Sequence, residues 1–188
     1  MEKLSTFFSK ENICHKLGYT SRIYRLPVLS DLPTCFVNEN ISHIGRDRWA
    51  MDFDVPIGAV VCSPANGRIV LIEQYYVIAS HNPLDGNKVN QIIIRTNANE
   101  TCEIKHIQAD SCGFKIGEEI REGQVLATVG LNGYYVEDRG VEFPSHLHFA
   151  VHGHRSLPLK VRFRGYEVVY GSNGSVVFTK GNFVSNWF

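Results

Sequence analysis

Two histidines stand two residues apart in the run Phe143-Pro144-Ser145-His146-Leu147-His148-Phe149-Ala150-Val151. On a strand, alternation puts both imidazoles on one face and Leu147, Phe149 and Val151 on the other. Residues two apart lie about 6.6 Å apart along a strand, so His146 and His148 could serve one metal ion and its water. By spacing alone they could equally be solvated rings on a polar strand face. Asp52 sits inside the apolar run Trp49-Ala50-Met51-Asp52-Phe53, where an unpaired carboxylate would be costly, so a cation or metal partner is expected for it. Asp54 shares that facing but lies beside Pro56 and a turn, and is expected to be exposed. His106 ends another strand, Glu100-Thr101-Cys102-Glu103-Ile104-Lys105-His106, and taken singly it reads as a surface residue.

The elements that must carry these side chains are strands. Glycine is frequent, and short runs rich in Val, Ile, Tyr and Phe recur between turn residues. Strands are expected at 50–55, 59–63, 67–73, 91–96, 101–107, 124–129 and 146–152, followed by 160–163, 166–170 and 175–179. The last two are joined by the hairpin signal Gly171-Ser172-Asn173-Gly174. Helix is scarce, with one candidate at 3–17. The expected fold is mostly β: a single domain over residues 37–188, preceded by a short, mainly irregular N-terminal extension over 1–36. Between Tyr76 and Asn90 a polar insertion carries the turn formers Asn82-Pro83 and Asp85-Gly86 and is expected to be a surface loop flanking a cleft. The alternating run 114–126 has Gly117 and Gly123 where tight turns need them and reads as scaffold. It is similar to the hairpin of lipoyl and biotinyl carrier domains, but no lysine sits at its tip for modification.

Composition narrows the function. In 188 residues, 19 lysines and arginines balance 19 aspartates and glutamates, without runs of one sign, which argues against nucleic acid or an anionic membrane as partner. Five scattered cysteines without a Cys-x-x-Cys pair suit reduced, mostly buried thiols better than a disulfide framework. The first residues hold only a brief apolar patch, and no later run approaches the ~18 apolar residues of a membrane helix, so neither a signal peptide nor membrane insertion is expected.

In order and spacing, four stretches resemble the lysostaphin/LytM-type zinc metallopeptidases, which cut peptide cross-links in bacterial peptidoglycan. DFDVPIGAVVCSPANGRIV resembles the family's aspartate strand and following hairpin. EIKHI stands where the family has Tyr-x-His-Leu. FKIGEEIREGQVLATVGLNG is similar to its glycine-punctuated hairpin, and SHLHFAV to its closing His-x-His strand. The resemblance covers 43–163 and implies antiparallel sheets in a barrel-sandwich-like (duplicated-hybrid-motif) core and one Zn²⁺. It places Asp52 and His148 on metal ligands and His106 and His146 on the two catalytic histidines.

One departure matters. The family's first ligand is a histidine four residues before the aspartate, and this chain has Arg48 there. Some relatives share the form Ser-His-x-Gly followed by Arg-aromatic-Ala-x-Asp-Phe, which Ser42-His43-Ile44-Gly45 and Arg48-Trp49-Ala50-Met51-Asp52-Phe53 follow. On that resemblance Gly45 turns the chain so that His43 supplies the third ligand. The opposing reading leaves His43 exposed and has Arg48 replace the metal by pairing with Asp52, making a degenerate domain that binds or regulates a partner. Two smaller departures are Ser145 for a usual proline and Thr96 for a frequent histidine.

Three ligands, His43, Asp52 and His148, would leave a position for water on zinc. His146, held beside the metal by its position two residues from a ligand, is assigned to orient or deprotonate that water, and His106 then stabilises the oxyanion of amide hydrolysis. The implied substrate is a peptide of peptidoglycan, lying between the insertion around His81 and the loop 131–142, where Tyr134 and Tyr135 could stack on it. The family implies a cell-envelope or extracellular setting, which conflicts with the N-terminus. A third reading, a sugar-phosphotransferase carrier of the glucose-permease type using His106, leaves the His146-x-His148 pair and Asp52 without a role. His152 and His154 lie past the pair, His152 about 13 Å along the strand from His148, and are left out of the site.

Overall fold

Period-two alternation sets the architecture, because each strand must bury one row of side chains. The structure is a computed structural model, and its described residues are 14–29, 35–36, 43–77, 79–80, 88–134, 145–170 and 176–180. Its strands in chain order are β1 (Tyr19–Tyr24), β2 (Cys35–Phe36), β3 (Met51–Asp54), β4 (Val60–Cys62), β5 (Gly67–Glu73), β6 (Ala79–Ser80), β7 (Gln91–Thr96) and β8 (Thr101–Lys105). They continue with β9 (Glu119–Ile120), β10 (Val125–Thr128), β11 (Gly133–Tyr134), β12 (His146–His152), β13 (Lys160–Phe163), β14 (Tyr166–Tyr170) and β15 (Val176–Lys180).

A seven-stranded antiparallel sheet in the order β2-β3-β12-β8-β7-β5-β9 forms the frame. Four two-stranded pairs surround it: β4 with β10, β14 with β15, and the parallel pairs β1 with β13 and β6 with β11. The mostly β, antiparallel reading holds, and among the described residues the sheets do not close into a barrel. Five expected strands have the observed bounds, namely β5, β7, β12, β13 and β14. The turn joining β14 to β15, the insertion tip at 81–87 and most of the expected helix 3–17 lie outside the described residues. Of that helix, 14–16 form a helical turn closed by Leu17 N donating to Cys14 O at 3.1 Å.

β12 lies at the centre of the site's end of the sheet. Leu147, Phe149 and Val151 point into the core, and Phe149 meets Tyr24 and Phe163 at ring distances of 6.5 and 5.9 Å. Phe53 on β3 packs on Phe163 at 6.1 Å. Side chains fully removed from water at this density stabilise by about 1.5–3 kcal/mol each.

Tyr19–Tyr24 departs from the expected irregular extension: it is a strand, and Tyr24, Leu26 and Val28 are buried in the same core. Its parallel register runs from Tyr19 opposite Lys160 to Tyr24 opposite Phe163. The segment is anchored by Glu100, a fully buried carboxylate that accepts from Ser21 N at 2.5 Å, Tyr24 Oη at 2.5 Å and His15 Nε2 at 2.8 Å. Burial, with Cys102 and Glu100 beside it, pushes the Tyr24 hydroxyl well above its ordinary range. Cys14, Cys62, Cys102 and Cys112 are free thiols, the last three buried.

Candidate metal centre

The antiparallel register of β12 and β3 pairs His148 with Asp52 and His146 with Asp54. Asp52, flanked by Met51 and Phe53 with no measurable exposure, is itself 4% exposed, whereas Asp54 faces solvent as expected. His148 Nδ1 lies 2.9 Å from Asp52 Oδ1.

The third group arrives from the turn before β3. Gly45 has φ +58°, a left-handed conformation that suits glycine, and it opens the short 3-10 turn Gly45–Asp47. That reversal brings His43 back onto the sheet, with Nε2 3.1 Å from Asp52 Oδ2. The rings of His43 and His148 meet edge to face at 5.3 Å. One ligand atom each from His43, Asp52 and His148 lies within 4.8 Å of the others.

The donor set suits a metal ion. Two nitrogens and one carboxylate oxygen are a usual zinc set with room for a fourth ligand. Hydrogen bonding alone does not satisfy the cluster: His43 Nδ1 and His148 Nε2 are buried without a partner. Such orphans cost about 1–3 kcal/mol each. Burial alone would raise the Asp52 pKa, but hydrogen bonds from His148 and His43 and the nearby imidazoles outweigh it and hold the carboxyl well below its usual range. A site that keeps its carboxylate ionised while two rings converge on it is built for positive charge.

Arg48 plays no part in that charge balance. It is exposed, and its guanidinium lies over Trp49, 4.8 Å from the ring centroid. The ion pairs of Asp52 among the described residues are with His43, His146 and His148. The expectation that Arg48 might neutralise Asp52 is therefore corrected: Arg48 caps the 3-10 turn ahead of β3 and stacks on the neighbouring Trp49.

His106 and His146 stand beside this cluster, with ring centroids 4.5 Å apart and His106 6.4 Å from His148. His146 Nε2 is 4.0 Å from Asp52 Oδ1. The His146 side chain is 16% exposed against 3% for His43 and 8% for His148, so the centre opens to solvent on the His146 side. His106 has φ +67°, a costly conformation for a non-glycine residue, fixed by His106 N donating to Asn90 O at 2.9 Å and Gly130 N donating to His106 O at 2.7 Å. Its Nδ1 is 2.8 Å from Asn132 O. A carbonyl can only accept, so Nδ1 carries the proton and, in the neutral ring, Nε2 holds a lone pair. Burial, then His146 and His148 nearby, pull the His106 pKa down to about 3.

Asn90 and Asn132 were not visible as site residues. Asn132 Oδ1 accepts from Asn90 N at 2.8 Å, and both side-chain amides donate to Ile107 O. Asn90 also ties down Tyr76, donating to its carbonyl at 2.8 Å and accepting from its N–H at 2.9 Å. The two loops expected to border a cleft are thus joined at their base, and further out β6 pairs with β11. Nothing in a single sequence marks these asparagines apart from their place beside turn residues. His81, Tyr135 and the side chain of Tyr134 lie outside the described residues.

A second acidic group, Asp47 and Glu103 near His148, is already supplied with cations. Lys105 Nζ is 3.3 Å from Asp47 Oδ2 and 2.5 Å from Glu103 Oε1, and Arg46 pairs with Glu103. Ser145, at the usual proline, donates to Val55 O at 2.9 Å and steadies the entry to β12.

The fold is shared with a solved structure. A structure titled a novel M23 metalloprotease, pseudoalterin, from the deep sea aligns with a TM-score of 0.59 at 12% identity, covering 86% of this chain and 93% of that one. A peptidase M23 from Pseudomonas aeruginosa aligns at 21% identity and TM-score 0.45, covering 75% of this chain and 47% of that one. A zinc-containing peptidase from Vibrio cholerae aligns at 24% identity and TM-score 0.44, covering 72% of this chain and 35% of that one. The chain thus spans less than half the length of these last two proteins. No curated protein sequence matches it. The sequence profile of Peptidase family M23 matches residues 46–160, spanning β3, β8 and β12, and the chain belongs to that family.

Proposed function

We propose that this chain is a zinc-dependent metallo-endopeptidase that hydrolyses peptide bonds in peptidoglycan cross-links or stem peptides, acting at the cell envelope or outside the cell. The observation that carries this reading is the convergence of His43 and His148 on the buried Asp52, with the His106–His146 pair alongside. Membership of a peptidase family and the resemblance of the four motif stretches to lysostaphin-type enzymes support the substrate class.

His43, Asp52 and His148 would hold Zn²⁺, which when bound supplies a Lewis acid that lowers the pKa of water to about 7. The side chains divide the remaining work. Nε2 of neutral His106 takes a proton from the attacking water, because Nδ1 is committed to Asn132 O. The same proton passes to the amine nitrogen as the amide C–N bond breaks. His146, on the open side, donates to the carbonyl oxygen as it gains charge, a contribution of about 3 kcal/mol for comparable donors. These roles are the reverse of those expected from the position of His146 two residues from His148, and the Asn132 contact is the reason.

The test is digestion of purified peptidoglycan by the zinc-loaded protein, with new amino termini counted. Activity should vanish with a chelator and return with zinc. No release of amino termini from peptidoglycan of several cross-link types would reject the substrate class. Undiminished release by a demonstrably zinc-free protein would reject zinc dependence.

A further inference from the structure

Beyond the far end of β12 lies a groove of about 490 Å³ that the catalytic reading leaves unused. Arg46, Arg95, Arg155, His15, His152 and His154 line it, and no acidic residue is among the described residues of its wall. Three carboxylates lie close by, and each is engaged: Glu103 with Arg46 and Lys105, Asp47 with Lys105 and, at 3.9 Å, with His152, and Glu100 with His15. Arg95 and Arg155 are exposed, and neither forms an ion pair among the described residues. The wall thus presents two uncompensated guanidinium groups, with Arg46 and three imidazoles around them.

The backbone of the groove is also held at a cost. Asn99, Arg155 and Ser156, with φ of +59°, +54° and +58° respectively, are left-handed non-glycine residues, and all three line it. Such conformations are unfavourable for residues with a side chain and persist where the surroundings enforce them. The turn His154–Ser156 is closed by Leu157 N donating to His154 O at 3.3 Å and Gly153 N donating to Leu157 O at 2.8 Å. It places the exposed Arg155 at the wall of the groove.

We propose that this groove is an oxyanion-binding site, separate from the metal centre, that takes a phosphate or carboxylate group. Planar guanidinium forks match both groups, and the Asn99, Thr101 and Ser156 side chains supply further donors. The site lies about 13 Å along the strand from His148. Arg46 also places it on the turn that follows His43. It requires neither bound zinc nor peptidase activity, so it stands or falls independently of the function proposed above.

The experiment is a titration of the full chain with inorganic phosphate, followed by amide NMR, in wild type, the exposed-site double variant Arg95→Gln/Arg155→Gln and the metal-site variant Asp52→Asn. Shifts at Arg95, Asn99, Thr101 and Arg155 are expected, with affinity lowered at least about tenfold in the double variant and unchanged in Asp52→Asn. Shifts confined to His43, His106 and His148, or equal affinity in wild type and the double variant, would overturn the proposal. A short peptide with a free C-terminal carboxylate and its C-terminal amide then identify the source. Displacement of phosphate by the acid alone makes the occupant a peptide carboxylate, and displacement by neither makes it a phosphate group.

Discussion

His148 Nδ1 lies 2.9 Å from Asp52 Oδ1 because the two residues are register partners across β12 and β3. A one-residue slip would turn both into the core, so the register is fixed by the buried Phe53, Leu147 and Phe149. Asp52→Ala should therefore reduce zinc affinity by more than about a hundredfold, since it removes a ligand rather than one of the outer contacts worth 10–100-fold. Competition with a chromophoric chelator measures this, and near wild-type affinity would remove Asp52 from the ligand set.

Arg48→Ala should leave zinc content within error of wild type, because the guanidinium stacks on Trp49 and not on Asp52. Zinc uptake that rises sharply in this variant would mean that the arginine competes with the metal.

His106→Asn should lower kcat by about 10²–10⁴-fold while zinc stoichiometry stays at wild type, as expected for loss of a general base that is not a ligand. Steady-state hydrolysis beside metal analysis separates the two. Equal loss of zinc and activity would make His106 part of the metal shell.

Acid should destabilise the metal-free protein. His106 has a folded pKa of about 3 against an ordinary 6.5, so the unfolded chain binds more protons between those values. Stability contributed by the neutral ring is full above about 6.5 and is lost as pH falls toward 3. The depressed Asp52 pKa acts in the same direction below its ordinary 3.8. The thermal midpoint should fall steadily from neutral pH to pH ~4, with a shallower slope in His106→Asn; identical slopes would contradict the assignment.

Glu100→Ala removes the acceptor of three donors, Ser21 N, Tyr24 Oη and His15 Nε2, and should cost about 3–5 kcal/mol. Denaturant unfolding measures it, and a loss below about 1 kcal/mol would mean that β1 docks without Glu100.

These residues also show what a sequence discloses. Strands such as β5, β7 and β12 alternate cleanly, whereas the reversal at Gly45 that brings His43 to Asp52 was suggested only by resemblance to relatives with the form Ser-His-x-Gly. β1 escaped notice because Thr20 and Ser21 are buried while Tyr19 and Ile23 face outward. Its polar side is satisfied by Glu100, 76 to 79 positions away, and no local pattern encodes that distance. Asn90 and Asn132 were missed for the same reason: their partners are carbonyls brought near only by the folded sheet.

Zinc content of purified His43→Ala beside wild type tests the central claim most directly, because His43 is the ligand that replaces the one absent at Arg48. One zinc per chain in wild type and a severe loss in His43→Ala is the predicted result. Full zinc occupancy in His43→Ala, or a wild-type protein with no affinity for zinc, would contradict it.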